Sequence, residues 1–434
     1  MFHTTRYHLS HYLYARVVLV VLLLSFCPSV RGQRQDSVVA HGLRALPDVP
    51  FYDDCSVVLL PSGVEKYEDL FAAVQNAHRY VHLEYFKFYN DCIGGELLDL
   101  LRRKVDEGVE VRVLVDGFGN RGRHDTFDRQ TLDSLRQLGV KIELYNPMRF
   151  PWIPCYVYRD HRKIAVIDGE VAYLGGMNVA DYYIEGKPRV GEWRDMHVRL
   201  DGSVVEGVES IFSRMWFDVT GEYLDSLQYA PQLLSEFSYR GMKVDRTATA
   251  GAKRIALVNH KRGRLSANMR MAYALAIDAA RDSICIVNPY LTNVPLVRKA
   301  MLRALRRGVK LKIMVSAKMD IHVTPDVVGM EMKKLMRHGA EIYYCENAFH
   351  HDKYMTVDGL FCTVGTANID GRSLRFDHEV NAFVFDRHTT RQLDELMNHE
   401  LSQCSRLTKE GWRKRYSLGH RILGRVARVA NLFF

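Results

Sequence analysis

The hydrophobic positions of this chain repeat at an offset of 200 residues. Gly108 opens GVEVRVLVD and Gly308 opens GVKLKIMVS; Gly139 opens GVKIELYN and Gly339 opens GAEIYYCE. Ahead of the first glycine of each pair, Leu97, Leu98, Leu100 and Leu101, and then Val297, Met301, Leu302 and Leu305, recur at three- and four-residue spacing. That spacing predicts amphipathic helices, and the glycines stand where such helices end. Val111, Val113 and Val115, and then Leu311, Ile313 and Val315, mark segments that alternate or run apolar, which predicts strands. Each half therefore runs helix, strand, helix, strand, helix, strand. The alternation implies an α/β sandwich with a largely parallel or mixed sheet. Two unrelated segments would not share glycine offsets, so the halves are read as an internal duplication. The seam is expected near residues 240–255, where TATAGAKR is small and polar.

The two ends depart from this pattern. Residues Val17 to Phe26 read VVLVVLLLSF, with Arg6 and Arg16 ahead of them. The run is shorter than the roughly 18 apolar residues that a spanning helix needs. A basic start, a short apolar run and small residues near Val30 and Gly32 fit a signal peptide over residues 1–32, cleaved before Gln33. The rival is an uncleaved membrane anchor. At the other end, Ile422, Val426, Val429 and Phe433 share one helical face, and Arg421, Arg425 and Arg428 form another stripe. A basic amphipathic helix of that kind suits an anionic membrane surface; a helix packed on the protein is the alternative.

A chain of 434 residues suits two domains of about 200. With 47% hydrophobic and 26% charged residues it can bury real cores, which excludes a disordered chain. The net charge of +9 favours a polyanionic partner, either nucleic acid or an anionic membrane, and charge alone does not choose. The eight cysteines are dispersed, with Cys27 inside the N-terminal run. They show no zinc spacing and no disulfide framework, although one or two bridges would be compatible with export.

The chemistry sits after the third strand of each half. The first half reads His161-Arg162-Lys163, then Asp168, then Gly175-Gly176-Met177-Asn178. The second reads His351-Asp352-Lys353, then Asp358, then Gly365-Thr366-Ala367-Asn368. In an extended segment residues i and i+2 share a face, so each histidine projects with its lysine. Each asparagine returns from the next turn to the same place. Two such clusters, brought together by the duplication, make a phosphate site with its own acid and base. One histidine near a lysine carries little information; two full copies at equivalent places carry a great deal.

These two motifs resemble the phospholipase D superfamily over nearly the whole chain after the N-terminal segment. YRDHRKIAVIDGEVAYLGGMN, EWRDMHVRLDG and VGTANIDGRSLRFDHEVNAFVFD are similar to bacterial cardiolipin synthases. The resemblance implies two tandem phospholipase D-like α/β domains with pseudo-two-fold duplication, at 41–245 and 250–405, followed by the basic tail 406–434. It implies metal-independent chemistry with no cofactor, in which one histidine forms a covalent phosphohistidine and the other acts as acid and then base. On that basis the catalytic set is His161, Lys163, Asp168, His351, Lys353 and Asp358, with His161 attacking and His351 moving protons. The family uses the two motif aspartates more as structural supports than as proton carriers. Asn178, Asn368 and Thr366 would bind the phosphate, and Asp195 and Glu379 would orient the imidazoles. The usual serine before the asparagine's neighbour is replaced by Gly176 and Thr366.

The implied reaction joins two phosphatidylglycerols into cardiolipin and glycerol at the cell inner membrane, on the exported face if the leader is cleaved. A hydrolytic phospholipase D is the alternative. A superfamily nuclease fits less well, because nucleases often carry one motif per chain and dimerise. No nucleic-acid partner is therefore expected, and an oligomer is not required for a complete site. The halves also differ: from Gly139 to His161 is 22 residues, and from Gly339 to His351 is 12. The extra ten fall around Met148–Pro154, an aromatic loop that could dip into lipid or plug the space between halves.

Overall fold

The computed structural model describes residues 35–121, 127, 129–150, 152–229, 253–261 and 267–429. The N-terminal apolar run, most of the expected seam and Phe433 lie outside the described residues.

The first half contributes β1 (Phe51–Leu60), β2 (Tyr80–Tyr85), β3 (Glu110–Asp116), β4 (Lys141–Tyr145), β5 (Lys163–Ile167), β6 (Val171–Gly175), β7 (Glu192–Arg194) and β8 (His197–Asp201). The second contributes β9 (Lys253–His260), β10 (Ser283–Val287), β11 (Lys310–Ser316), β12 (Glu341–Cys345), β13 (Ala348–His350), β14 (Tyr354–Val357), β15 (Phe361–Gly365), β16 (Glu379–Phe385) and β17 (Ser405–Arg406). One fifteen-stranded sheet runs β17-β12-β11-β10-β14-β15-β16-β9-β1-β8-β6-β5-β2-β3-β4. Read outward from the β1–β9 pair, the two halves carry equivalent strands in the same order, with β17 added at the outer edge of the second. The duplication expected from the glycine offsets is thus present, and antiparallel pairing of Phe51 with Ala256 and Tyr52 with Ile255 fuses both halves into a single sheet.

The offsets have a local cause. Gly108 and Gly308 end the helices Cys92–Asp106 and Pro295–Arg306 at φ 88° and 89°, a left-handed conformation that costs a residue with a Cβ. The strands that follow lie parallel, β2 with β3 and β10 with β11. The motif strands β5 and β14 are antiparallel to these and buried on both faces, which is why their sequences run apolar without alternation. Helices cover both sides. Val204–Thr220 and Arg387–Leu401 pack on one face, with Phe212, Trp216, Leu393 and Met397 buried there. Gly63–Gln75, Cys92–Asp106, Asn268–Ala279 and Pro295–Arg306 cover the other.

The C-terminal segment continues the second half. β17 joins the sheet edge through Tyr343–Arg406 and Tyr344–Ser405. Trp412 is buried and donates from its ring nitrogen to the Gly329 carbonyl at 2.8 Å. The helix Leu418–Val429 then packs along the helix Thr324–Arg337, with Gly424 and Ala427 facing inward. A disulfide joins Cys345 at the end of β12 to Cys404. It realises one of the one or two bridges that the cysteine count left open.

Candidate active site

The last residues before each motif histidine pair with the other half of the chain. β13 lies parallel to β7, with Phe349 opposite Trp193 and His350 opposite Arg194. Asp160 forms the matching parallel bridge to His378. Consequently the His351 amide donates to the Arg194 carbonyl at 2.7 Å, and the His161 amide to the His378 carbonyl at 3.1 Å. The residue after each of those carbonyls is an acid, Asp195 and Glu379 respectively. The acids therefore reach the histidine of the opposite half.

His351 Nδ1 lies 2.6 Å from Asp195 Oδ2 and 2.8 Å from Lys353 Nζ, and His161 Nδ1 lies 2.9 Å from Glu379 Oε1. Each of the two acids thus contacts the imidazole of the opposite half. With Nδ1 so engaged, Nε2 of each ring is the atom left for chemistry. The Lys163 and Lys353 ammonium groups donate to the carbonyls of His161 and His351, so each lysine folds back onto its own histidine.

The two acids are held differently. Glu379 accepts from the hydroxyls of Thr366 and Ser373. Asp195 accepts from the Met196 amide at 2.9 Å, and a Cβ on Gly176 would lie 2.0 Å from its Oδ1. The missing hydroxyl at position 176 thus has a steric reason: the Asp195 carboxylate occupies that space. Thr366, expected among the phosphate ligands, is instead fully buried with its hydroxyl committed to Glu379.

Both histidines line one cavity of about 490 Å³, together with Asn178 and Asn368. Its walls include the aromatic rings of Phe86, Tyr182, Trp193 and Tyr290 beside charged groups. The volume and lining suit a ligand with a polar centre and apolar arms. Asn178 is partly occupied: its side-chain oxygen accepts from the Lys87 amide at 2.9 Å, and its nitrogen donates to the Tyr183 hydroxyl at 3.0 Å. Asn368 has its backbone amide bonded to Ser373 Oγ at 2.9 Å, and its side-chain oxygen is buried without a hydrogen-bond partner among the described residues. Tyr183 and Ser373 each stand five residues beyond the motif asparagine. That shared offset was the available signal for two supporting residues that the motif alone did not name.

The motif aspartates lie elsewhere, which removes them from the catalytic set. Asp168 accepts from the amides of His78, Arg79 and Tyr80, and Asp358 from those of Arg281, Asp282 and Ser283. Each sits at positive φ, 55° and 53°, followed by a glycine also at positive φ, in the tight turn after the motif strand. Asp-Gly is favoured where both central turn residues need that conformation. In the first half, β5 separates Asp168 from Lys163, five residues at about 3.3 Å each.

Burial controls the electrostatics. It drives both imidazoles well below their usual range, helped by Lys163 beside His161 and Lys353 beside His351. Burial also brings Lys163 down to about 7, against the pull of Glu379. It pushes Asp195 up to about 8 and Glu379 up to about 7, in spite of the neighbouring lysines. An anion entering the cleft favours the charged form of every cation here. An entering phosphodiester thus favours a proton on one ring, ready for a leaving oxygen, while burial keeps the other neutral and able to attack. Among the described residues, the grouping with metal-ligand geometry is Cys345, His350 and Cys404, which does not line this cavity and whose cysteines are bonded to each other.

The family described as cardiolipin synthase, phospholipase D-like domain, matches residues 70–216 and 273–401. A probable cardiolipin synthase of Bacillus subtilis is 31% identical over 392 residues, covering 89% of this chain and 74% of that one. A cardiolipin synthase of Oceanobacillus iheyensis is 32% identical over 373 residues, covering 86% and 74%. Among solved structures, the phosphatidylserine synthase of Haemophilus influenzae superposes with a TM-score of 0.68 at 13% identity, over 92% of this chain and 100% of that one, a likeness of fold.

Proposed function

The chain belongs to the phospholipase D-like cardiolipin synthase family, and we propose that it transfers a phosphatidyl group between two phosphatidylglycerols, giving cardiolipin and glycerol. The observation that carries this is the pair of imidazoles in one cleft, each held through Nδ1 by a carboxylate from the other half. Two oriented rings are what a double displacement at phosphorus requires.

In the first step His161 Nε2 attacks the phosphorus of the donor lipid. The bond to the headgroup oxygen breaks, and that oxygen takes a proton from His351, so glycerol leaves. A phosphatidyl group remains bonded to His161. In the second step a hydroxyl of the acceptor phosphatidylglycerol gives its proton to His351 and attacks the same phosphorus, which frees His161. Lys163 and Lys353 balance the phosphate charge, and Asn178 and Asn368 border it. Stabilising charge that develops at such a centre is typically the largest catalytic term.

A lipid substrate also needs a lipid surface. Leu418, Ile422, Leu423 and Val426 are exposed on the helix Leu418–Val429, beside the exposed Arg425. Its inward face rests on the helix Thr324–Arg337, whose Thr324 and Val327 line the cleft. An apolar stripe with a basic flank supports docking on an anionic membrane, as does the N-terminal leader or anchor read from the sequence. No helix among the described residues is long and apolar enough to cross a membrane.

The test is incubation of the full chain with labelled phosphatidylglycerol in mixed micelles. Cardiolipin and glycerol should appear in equal amounts, with phosphatidic acid minor. Phosphatidic acid as the main product at every lipid density would make the protein a hydrolase.

A further inference from the structure

We infer that Lys87 and Lys187 form a second phosphate subsite beside His351, which holds the phosphate of the lipid whose alcohol accepts the phosphatidyl group. This rests on the transferase reading above and names what selects its acceptor.

Lys87 lines the catalytic cleft, and its main chain is fixed there by the bond from its amide to Asn178. Lys187 sits in a tight loop closed by reciprocal bonds with Gly191, at 2.9 and 2.8 Å. Its ammonium lies 3.8 Å from the ring centre of Tyr182 and 4.8 Å from that of Trp193, and both rings line the cleft. Trp193 is in turn 5.3 Å from the His351 ring, so the Lys187 ammonium stands within about 10 Å of His351. Neither lysine is in an ion pair among the described residues. Burial, with Lys87 alongside, lowers Lys187 to about 8. The acid facing both is Asp320, which already accepts the Tyr290 hydroxyl at 2.5 Å. Two cations against one engaged carboxylate leave positive charge uncompensated on the wall next to the proton-transferring histidine.

The motif lysines do not explain this pair, because they are tied to their own histidines at the reacting phosphorus. The chemistry of the second step does. Water, free glycerol and a lipid headgroup all present a hydroxyl to His351. Of these the lipid alone brings a second phosphate, a glycerol's length beyond the reacting oxygen. A cationic pair at that reach anchors the lipid and so raises its effective concentration over water.

The experiment uses the full chain in mixed micelles with labelled phosphatidylglycerol, with and without ethanol as a phosphate-free acceptor. In K87M/K187M, cardiolipin formation should fall at least tenfold, with KM for the acceptor raised. Phosphatidylethanol and phosphatidic acid should form at wild-type rates, and K187R should keep the wild-type product ratio. An unchanged cardiolipin-to-phosphatidylethanol ratio in K87M/K187M overturns the subsite, whether total turnover is kept or lost. Wild-type protein that makes phosphatidylethanol but no cardiolipin overturns the transferase reading itself, and the subsite with it.

Discussion

His161 and Glu379 lie 218 residues apart and belong to opposite halves, yet they share a hydrogen bond of 2.9 Å. His351 and Asp195 repeat the relationship at 2.6 Å. Neither half therefore holds both a motif histidine and the acid bonded to it. Replacing either acid by its amide leaves the fold but loses the carboxyl group that fixes the ring's tautomer and orientation. E379Q and D195N should each lower kcat on the order of 10³–10⁴-fold, with little change in KM. H161A and H351A should each abolish turnover. Steady-state kinetics on variants with unchanged melting curves test this; a substantial kcat in either amide variant would mean that its histidine needs no partner.

Gly176 and Thr366 occupy equivalent places and should respond in opposite ways. A side chain at 176 collides with Asp195, and strain of that kind costs about 1–3 kcal/mol or displaces the carboxylate. G176S should lose more than tenfold in kcat, because His351 loses its partner. T366S keeps the hydroxyl on Glu379 and should stay within a few-fold of wild type. A harmless G176S would show that Asp195 can move away without consequence.

The acid limb of the pH profile follows from His161. The attacking ring must be unprotonated, and burial together with Lys163 holds it well below its usual 6.5. A lower pKa means the ring stays neutral as pH falls, so kcat/KM should hold until well under pH 6.5. Asp377 raises this ring, so D377N should move the limb lower still. A limb at or above 6.5 would contradict the assignment.

What the sequence disclosed followed from how local each feature is. The offsets of Gly108 and Gly308, and the apolar run after Lys163, are imposed by single helix ends and by burial of one strand on both faces. Both can be read from neighbours in the chain. The crossing of Asp195 depends on β7 meeting β13, and that of Glu379 on the bridge from Asp160 to His378, both contacts between halves far apart in the chain. No spacing within a motif encodes that. Thr366 was misplaced for a related reason: its motif position says that it is near the phosphate, while its hydroxyl is claimed by Glu379 on β16. The pairing of Cys345 with Cys404 was hidden because dispersed cysteines carry no partner information.

That disulfide closes a stretch of 59 residues and ties the sheet edge to the end of Arg387–Leu401. The same helix end bears Glu400, bonded to Arg194 at 2.5 Å beside Asp195. Chain entropy alone assigns such a loop about 4 kcal/mol of stability. C345S/C404S should melt several degrees lower under oxidising conditions, and wild type in reductant should match it. Unchanged melting temperatures would show that the two thiols are not joined in solution.

The helix Leu418–Val429 separates two roles on two faces. Its docking face carries Gly424, where a Cβ would meet the Asp326 carbonyl at 2.7 Å, and His420, bonded to Asp326 at 2.8 Å. Its outer face carries Leu418, Ile422 and Val426 at 70%, 52% and 63% exposure. Since those three contribute little to the core, replacing them with serine should leave the melting temperature within about a degree. If they enter lipid, each gives up roughly 1 kcal/mol or more on removal, so the triple variant should bind anionic vesicles on the order of 100-fold more weakly. Arg425 adds an attraction of about 1 kcal/mol to anionic headgroups, so R425Q should weaken binding to anionic vesicles and leave neutral ones unaffected. Activity on soluble short-chain substrate should survive in both variants, because Thr324 and Val327 keep their places in the cleft. G424L should do the reverse, loosening the helix from the protein and lowering the melting temperature. Full vesicle binding by the triple serine variant, together with a lower melting temperature, would reassign the stripe to packing.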